Sequence, residues 1–232
     1  MKKLIFILFI FSIVYSCTKE DSTPPDLIKL SGCDSIRLGI LKPNRQDTLR
    51  LLSCIKLSSN DSMSLGFITI GKIFQGGLLA YILQPGDPGY DANTQHGLIA
   101  ATSDQSTGIQ WYNGSYSNTG ATGTAIGTGL SNTNAIITIQ GNTVSYAAGL
   151  ASAYKGGGYT DWYLPSKDEL NKLFINRTAI GGFATSIETC IYWSSSEGDD
   201  ENAWYQNFYD DYQTNYYFFK FYNYSVRAIR AF

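Results

Sequence analysis

The sequence predicts an α+β domain over residues 66–232, in which strands are followed by two helices and then by strands again. Three observations carry this. From Gly66 onward, short apolar runs are punctuated by Gly and Pro. Pro165-Ser166-Lys-Asp-Glu169 is a capping box ahead of an apolar stripe. From Tyr192 the chain returns to short aromatic and β-branched runs.

In order along the chain, Phe67-Ile-Thr-Ile70 and Gly77-Leu-Leu-Ala-Tyr-Ile-Leu83 read as strands, and Gln84-Pro-Gly-Asp-Pro-Gly89 as a turn cluster. Gly97-Leu-Ile-Ala-Ala101 is a short, continuously apolar strand of the kind buried on both faces. Ser115 to Asn134, rich in Gly, Thr, Ser and Asn, reads as a long loop ordered by turn chemistry, with some strand possible. A first helix is expected over Thr143 to Tyr154, with Val144, Ala147, Ala148, Leu150 and Ala151 on one stripe and Gly156-Gly157-Gly158 ending it. The second helix follows the capping box, buries Leu170, Leu173 and Phe174, and closes at Gly181-Gly182. Tyr192 to Ser196, Ala203 to Phe208, Asn215 to Phe221 and Val226 to Phe232 read as strands. The last is expected to bury Val226, Ala228, Ile229 and Phe232 and to turn its two arginines to the other face.

The N-terminus has a basic Met1-Lys2-Lys3, an apolar run from Leu4 to Val14, then Val14-Tyr15-Ser16-Cys17. That order is a signal peptide, residues 1–16, and the run is shorter than the roughly 20 residues a membrane span needs. Val14-Tyr15-Ser16-Cys17 resembles the bacterial lipobox, which implies cleavage before Cys17, acylation of Cys17, and a membrane anchor made of its acyl chains. Thr18-Lys19-Glu20-Asp21 resembles the signal that sends some Gram-negative lipoproteins to the outer face of the outer membrane. Residues 17–65 are then the lipidated cysteine and a tether. Pro24-Pro25 marks a spacer, and Ser31 to Leu65 is either a small subdomain or a stalk.

The formal net charge of −2 offers no basic field for nucleic acid. Four cysteines, less an acylated Cys17, leave an odd number and exclude a disulfide framework; Cys33 and Cys54 are the obvious pair, though spacing does not establish it. One histidine, His96, has no second partner in the sequence, and Cys190 begins an apparent strand, so no catalytic centre is legible. Thr119 to Thr124 and Gly127 to Gly129 lack the lysine and the strand-loop-helix setting of a phosphate loop. Asp87, Asp91 and Asn93, or Asp199, Asp200 and Glu201, are hard oxygen donors but have no EF-hand spacing and read as turn acids. No cofactor and no metal are expected.

Asp161-Trp-Tyr-Leu-Pro-Ser-Lys-Asp-Glu-Leu170, Tyr192-Trp-Ser-Ser-Ser-Glu197, Ala203-Trp-Tyr-Gln-Asn-Phe208 and Val226-Arg-Ala-Ile-Arg-Ala-Phe232, in that order, resemble the C-terminal domain of bacterial collagen-like adhesins. Gly86 to Asn93 and His96 to Ala101 fit the same family. The resemblance covers about Gly66 to Phe232 and implies a C-type-lectin-like fold, with small antiparallel sheets and two helices. Formylglycine-generating enzymes share this broad fold, but no matching reactive cysteine pair is present.

Residues 198–224 contain seven Tyr, four Phe, four Asn and four Asp. Interspersed are constant-looking positions: Ala203-Trp204, Gln206, Phe208, Gln213 and Lys220. This composition resembles the target of a diversity-generating retroelement, in which adenine scrambling converts Asn codons to Tyr, Phe, Asp, Ser or Gly; Glu201 does not arise in this way. The resemblance implies a displayed receptor with interchangeable side chains on one face. The candidate variable, ligand-binding positions are Gly198, Asp199, Asp200, Asn202, Tyr209, Asp210, Asp211, Tyr212, Asn215, Tyr216, Tyr217, Phe218, Phe219, Phe221, Tyr222, Asn223 and Tyr224. Tyr, Asn, Ser and Gly also dominate antibody binding loops, where Tyr offers a large amphipathic contact with few torsions to freeze. Because alternate residues of a strand face opposite ways, about half of Asn215 to Tyr224 could instead be core. The sequence therefore points to a non-enzymatic lipoprotein receptor for a protein or glycan on a cell, phage or host surface. The alternative is a fixed surface adhesin or glycan-binding lipoprotein of the same fold.

Overall fold

The computed structural model describes residues 69–187, 189–209 and 217–232. The expected signal peptide, Cys17, the tether, the Cys33–Cys54 pair and Phe67 lie outside the described residues.

Two small sheets and a set of helices make a mixed α+β domain. Strands β1 (Ile73–Phe74), β2 (Gly77–Ile82), β3 (Gly97–Ala100) and β9 (Ile229–Ala231) form one sheet in that spatial order, all antiparallel. Strands β4 (Ser106–Ile109), β8 (Tyr224–Val226), β5 (Ile191–Glu197), β6 (Asn202–Asn207) and β7 (Tyr217–Phe219) form the other. The expected antiparallel pairing holds throughout this sheet except between β5 and β8, which pair in parallel through Tyr192 and Ser225. The expected strand at 67–70 is displaced, because Ile70 lies in a turn and the first described strand starts at Ile73.

β3 is buried at all four positions, as its unbroken apolar run requires, and it pairs with β9 at the chain terminus. Gly97 and Phe232 exchange backbone hydrogen bonds of 3.2 and 3.1 Å, which ties down the last residue. A Cβ on Gly97 would lie 2.1 Å from the Tyr81 carbonyl, so this close pairing needs glycine.

Among the described residues there are four α-helices and a 3-10 turn, not two helices. The extra long one is α1 (Gly129–Gln140), in a segment read in part as loop. Its buried stripe includes Asn132, Thr133, Ile136 and Gln140, whereas Leu130 and Ile139 are exposed. The Asn132 amide donates to the Gly123 carbonyl at 2.6 Å, the Thr133 hydroxyl to the Leu164 carbonyl at 3.3 Å, and Gln140 accepts from the Asn113 backbone at 2.6 Å. A stripe of hydrogen-bonded polar residues carries no apolar periodicity and is invisible to a hydrophobic pattern.

The next helix, α2 (Ala147–Ala153), is shorter than expected, and Val144 is exposed and not on the buried stripe. α3 (Lys167–Ile175) follows its capping box as expected. Ser166 Oγ accepts from the Glu169 amide at 3.3 Å, the Glu169 carboxylate accepts from the Ser166 amide at 2.8 Å, and Leu170, Leu173 and Phe174 are buried. It ends at Asn176 and not at Gly181, because the short α4 (Arg177–Ile180) intervenes.

The final segment departs most from expectation. Val226 to Phe232 is not one strand. It leaves the second sheet at Val226 and enters the first at Ile229, and its arginines are buried between other groups. Arg227 is fully buried, with Nε 2.5 Å from Asp104 Oδ1 and Nη1 2.9 Å from the Ala101 carbonyl. Arg230 grips Asp161 through two bonds of 2.7 and 2.8 Å and lies over the Tyr159 ring at 3.9 Å. Paired guanidinium groups can be interior, and here both are buried instead of lining the second face of one strand.

Two apolar clusters result. One gathers Trp111, Trp162, Trp193, Tyr146, Ile136 and Val226; the other gathers Leu170, Leu173, Phe174, Tyr192, Phe208 and Ile229. The first lies under the segment that carries the candidate site.

A candidate binding face on a buried ion pair

The site is organised by a residue inside the aromatic-rich stretch that is not itself on the surface. Lys220 is fully buried and its Nζ lies 2.6 Å from Glu197 Oε1. The same ammonium donates to the carbonyls of Asp200 at 2.8 Å and Ser117 at 3.1 Å, and stands 4.6 Å over the Trp111 ring. Glu197 also accepts from the backbone amides of Thr119 and Gly120 at 2.9–3.0 Å. Burial pushes the Lys220 ammonium below its ordinary pKa, while Glu197, Asp199 and Asp200 work to keep it charged. The Lys220 backbone adds two clamps, from its amide to the Glu201 carbonyl and from the Trp111 amide to its own carbonyl. One side chain thus joins three segments: 117–121, 197–201 and the turn after β7.

The turn from β5 to β6 has its own lock. Asp199 Oδ1 accepts from the amides of Glu201 and Asn202 at 2.9 and 2.8 Å and from the Asn202 side chain at 2.8 Å. Desolvation alone would raise the Asp199 pKa, but these bonds and Lys220 outweigh it and hold the carboxylate below its ordinary value. Asp199 and Asn202, placed among the ligand-contact candidates, therefore build the turn. Gly198, Asp200 and Glu201 are exposed around it.

Beyond Lys220 a run of rings opens to solvent. Phe219, Phe221 and Tyr222 are 41, 40 and 37% exposed. The Phe219 and Phe221 rings stack with centroids 5.5 Å apart, Phe221 meets Tyr222 at 4.5 Å, and Tyr222 stacks on Tyr224 at 5.9 Å. Tyr224 goes inward. It is half-buried, packs on Trp193 at 4.6 Å and on Tyr205 at 5.6 Å, and burial, then Tyr205 and Tyr222, pushes its phenol up to about 12. Tyr224, one of the candidate ligand-binding positions, thus stands as a foot under the outer rings. Asn223 and Tyr209 are exposed. Tyr217 and Phe218 lie on β7, paired with Trp204 and Ala203 of β6. Asp210, Asp211, Tyr212, Gln213, Asn215 and Tyr216 lie outside the described residues.

Most of the described constant-looking positions are buried. Ala203, Gln206, Phe208 and Lys220 are buried, and Trp204 is half-buried beneath Lys167, whose Nζ is 4.3 Å from its ring.

The sequence reading missed two neighbours. Tyr112 and Tyr116 form a tilted ring pair at 4.9 Å, and Tyr116 is 45% exposed. Tyr116 precedes Ser117, whose carbonyl shares the Lys220 ammonium with the Asp200 carbonyl, so this pair adjoins the 198–202 turn; desolvation, Tyr112 and the Glu201 carboxylate raise the Tyr116 phenol. Gln110 holds the segment to the aromatic run through a 3.0 Å bond to the Phe221 carbonyl. Only the aromatic spacing Trp111-Tyr112 to Tyr116, inside a polar loop, hinted at them.

The residues weighed for other chemistry are occupied elsewhere. His96 Nδ1 lies 3.1 Å from the Phe232 carbonyl, while the buried Cys190 thiol bonds Asn207 Oδ1 at 3.3 Å. Asp87 accepts from Tyr81 and the Gln84 amide, and Asp91 from the Asn93 amide, as turn acids do. Among the described residues no three His, Cys, Asp or Glu side chains gather as a metal site.

Comparison with known proteins supplies the family. No curated protein matches the chain. The family model described as the Lcl C-terminal domain matches residues 100–230, more than half of the chain and including three of the four motif blocks entire. This is a ligand-binding type of domain, not a known enzyme family, and the mixed α+β architecture fits its C-type-lectin-like fold. The chain belongs to the Lcl C-terminal domain family.

Proposed function

We propose that this protein is a surface-displayed lipoprotein receptor. Acyl chains on Cys17 anchor it in the outer membrane of a Gram-negative cell, residues 18–65 space it outward, and the face formed by 198–224 binds a protein or glycan partner. A retroelement diversifies that face. The mechanism is binding alone, by exchangeable side chains on a fixed scaffold.

The observation that carries this reading is the stacked run Phe219, Phe221, Tyr222, left open to solvent directly beside the fully buried Lys220. Contiguous exposed aromatics are a liability unless they meet a partner. Here they stand on a foot, Tyr224 on Trp193, that holds the rings before a ligand arrives and lowers the entropy lost on binding. The alternation of buried Ala203, Gln206, Phe208 and Lys220 with exposed candidates is the partition that a diversified face on a conserved frame requires.

The test is an array of glycans and displayed proteins probed with the full-length protein and with Phe221→Ser. The expected result is that hits of the parent weaken by about 30-fold or more, a hot-spot loss of about 2 kcal/mol, while thermal unfolding stays within about 2 °C, as for a surface change. Hits that survive the substitution would place the site elsewhere.

A further inference from the structure

The charge of this face selects among partners. Among the described residues of 198–224 the acids are Asp199, Asp200 and Glu201, against a single base, Lys220. Lys220 adds nothing to the surface field, because it is fully buried and neutralised by Glu197 at 2.6 Å. Asp200 and Glu201 are exposed, and the half-buried Asp199 immediately precedes them in sequence. The exposed rings of Phe219, Phe221 and Tyr222 belong to the same stretch, and Tyr116 is a further exposed ring, next in sequence to Ser117, whose carbonyl shares the Lys220 ammonium with that of Asp200.

Aromatic faces carry the negative end of the ring quadrupole and attract cations within about 6 Å. Carboxylates in the same patch reinforce that sign and repel anions. The chain already makes this contact internally, with Arg230 over Tyr159 at 3.9 Å beside Asp161 and Arg227 over Phe183 at 4.4 Å beside Asp104. A guanidinium that stacks on a ring while its edge meets a carboxylate satisfies both groups at once.

We infer that the occupant of this face is a basic polypeptide surface, whose arginine and lysine side chains lie over the exposed rings between Asp200, Glu201 and the 219–222 turn. Tyr112 and Tyr116, a ring pair outside residues 198–224, flank that site. This inference rests on the reading of 198–224 as the ligand face and adds the chemistry of the partner.

The experiment immobilises the full-length protein in detergent micelles and selects from a displayed library of random short peptides, with dextran sulfate as the anionic probe. The expected result is peptides enriched in Arg and Lys well above the library. Their binding falls tenfold or more between roughly 0.1 M and roughly 1 M salt, as the screening length drops from about 10 Å to about 3 Å. It falls several-fold in the Asp200→Asn, Glu201→Gln double variant, and it is lost in Phe221→Ser. Neutral or acidic peptides, no selected peptide, or capture of dextran sulfate, where sensitive to Phe221→Ser or absent altogether, would overturn the basic partner and leave the face open to another ligand. Basic peptides that bind the parent and Phe221→Ser alike would overturn the face itself.

Discussion

Replacing Lys220 with Met is expected to destabilise the domain by about 3–5 kcal/mol, the cost of leaving one partner of a buried ion pair uncompensated. The substitution strands the Glu197 carboxylate, held then only by the Thr119 and Gly120 amides, and removes the donor from the carbonyls of Ser117 and Asp200. For a domain of this size each kcal/mol moves the unfolding midpoint by about 2–4 °C. A fall of roughly 10 °C in a thermal melt is therefore expected. Glu197→Gln in the same background should restore part of the loss, because the uncompensated charge is then gone, and the double-mutant cycle should show a coupling well above about 0.5 kcal/mol. A loss under about 1 kcal/mol without coupling would mean that the pair does not hold the three segments together.

Trp193→Ala has a comparable expected effect, about 3–5 kcal/mol for deleting a fully buried aromatic. Trp193 is fully buried, donates to the Ile109 carbonyl at 2.9 Å, and supports the Tyr224 ring at 4.6 Å. Its removal opens a cavity directly under the ring run, so ligand binding should suffer along with stability. Equilibrium urea denaturation reads the first effect. Trp204→Ala is the control, because Trp204 is half-buried and should cost distinctly less. Equal losses at the two positions would contradict the assignment of Trp193, and not Trp204, as the pillar of the face.

The contrast between these two tryptophans shows what the sequence could reveal. Residues whose role follows from local chemistry were legible: the Ser166–Glu169 capping box, the continuously apolar β3, and the strands at β5 and β6. Residues whose role depends on a distant partner were not. The polar stripe of α1 bonds to Gly123, Leu164 and Asn113, none of which is a helix neighbour, so no local pattern revealed the helix. Arg227 and Arg230 looked solvent-facing because Asp104 and Asp161 are far away in sequence. The composition of 198–224 marked the candidate stretch as a whole but could not separate Asp199, Asn202 and Tyr224, which hold the frame, from Asp200, Phe221 and Tyr222, which face out. Lys220 was set apart in the sequence only as a constant-looking interruption. Its buried pairing with Glu197 shows what that position does: any shorter or uncharged side chain would release three segments at once.

The central claim is that a fixed frame carries a face whose side chains are exchanged. Deep sequencing of the 3′ end of the gene from a clonal culture, with the flanking DNA, tests it most directly. The account predicts substitutions confined to codons 198–224 that spare Ala203, Gln206, Phe208 and Lys220, with an adenine-rich near-copy and a reverse transcriptase beside the gene. A uniform 3′ end without such a cassette, or substitutions that fall on Lys220 and Glu197 as freely as on Phe221, would contradict it and leave a surface adhesin with one set of contacts.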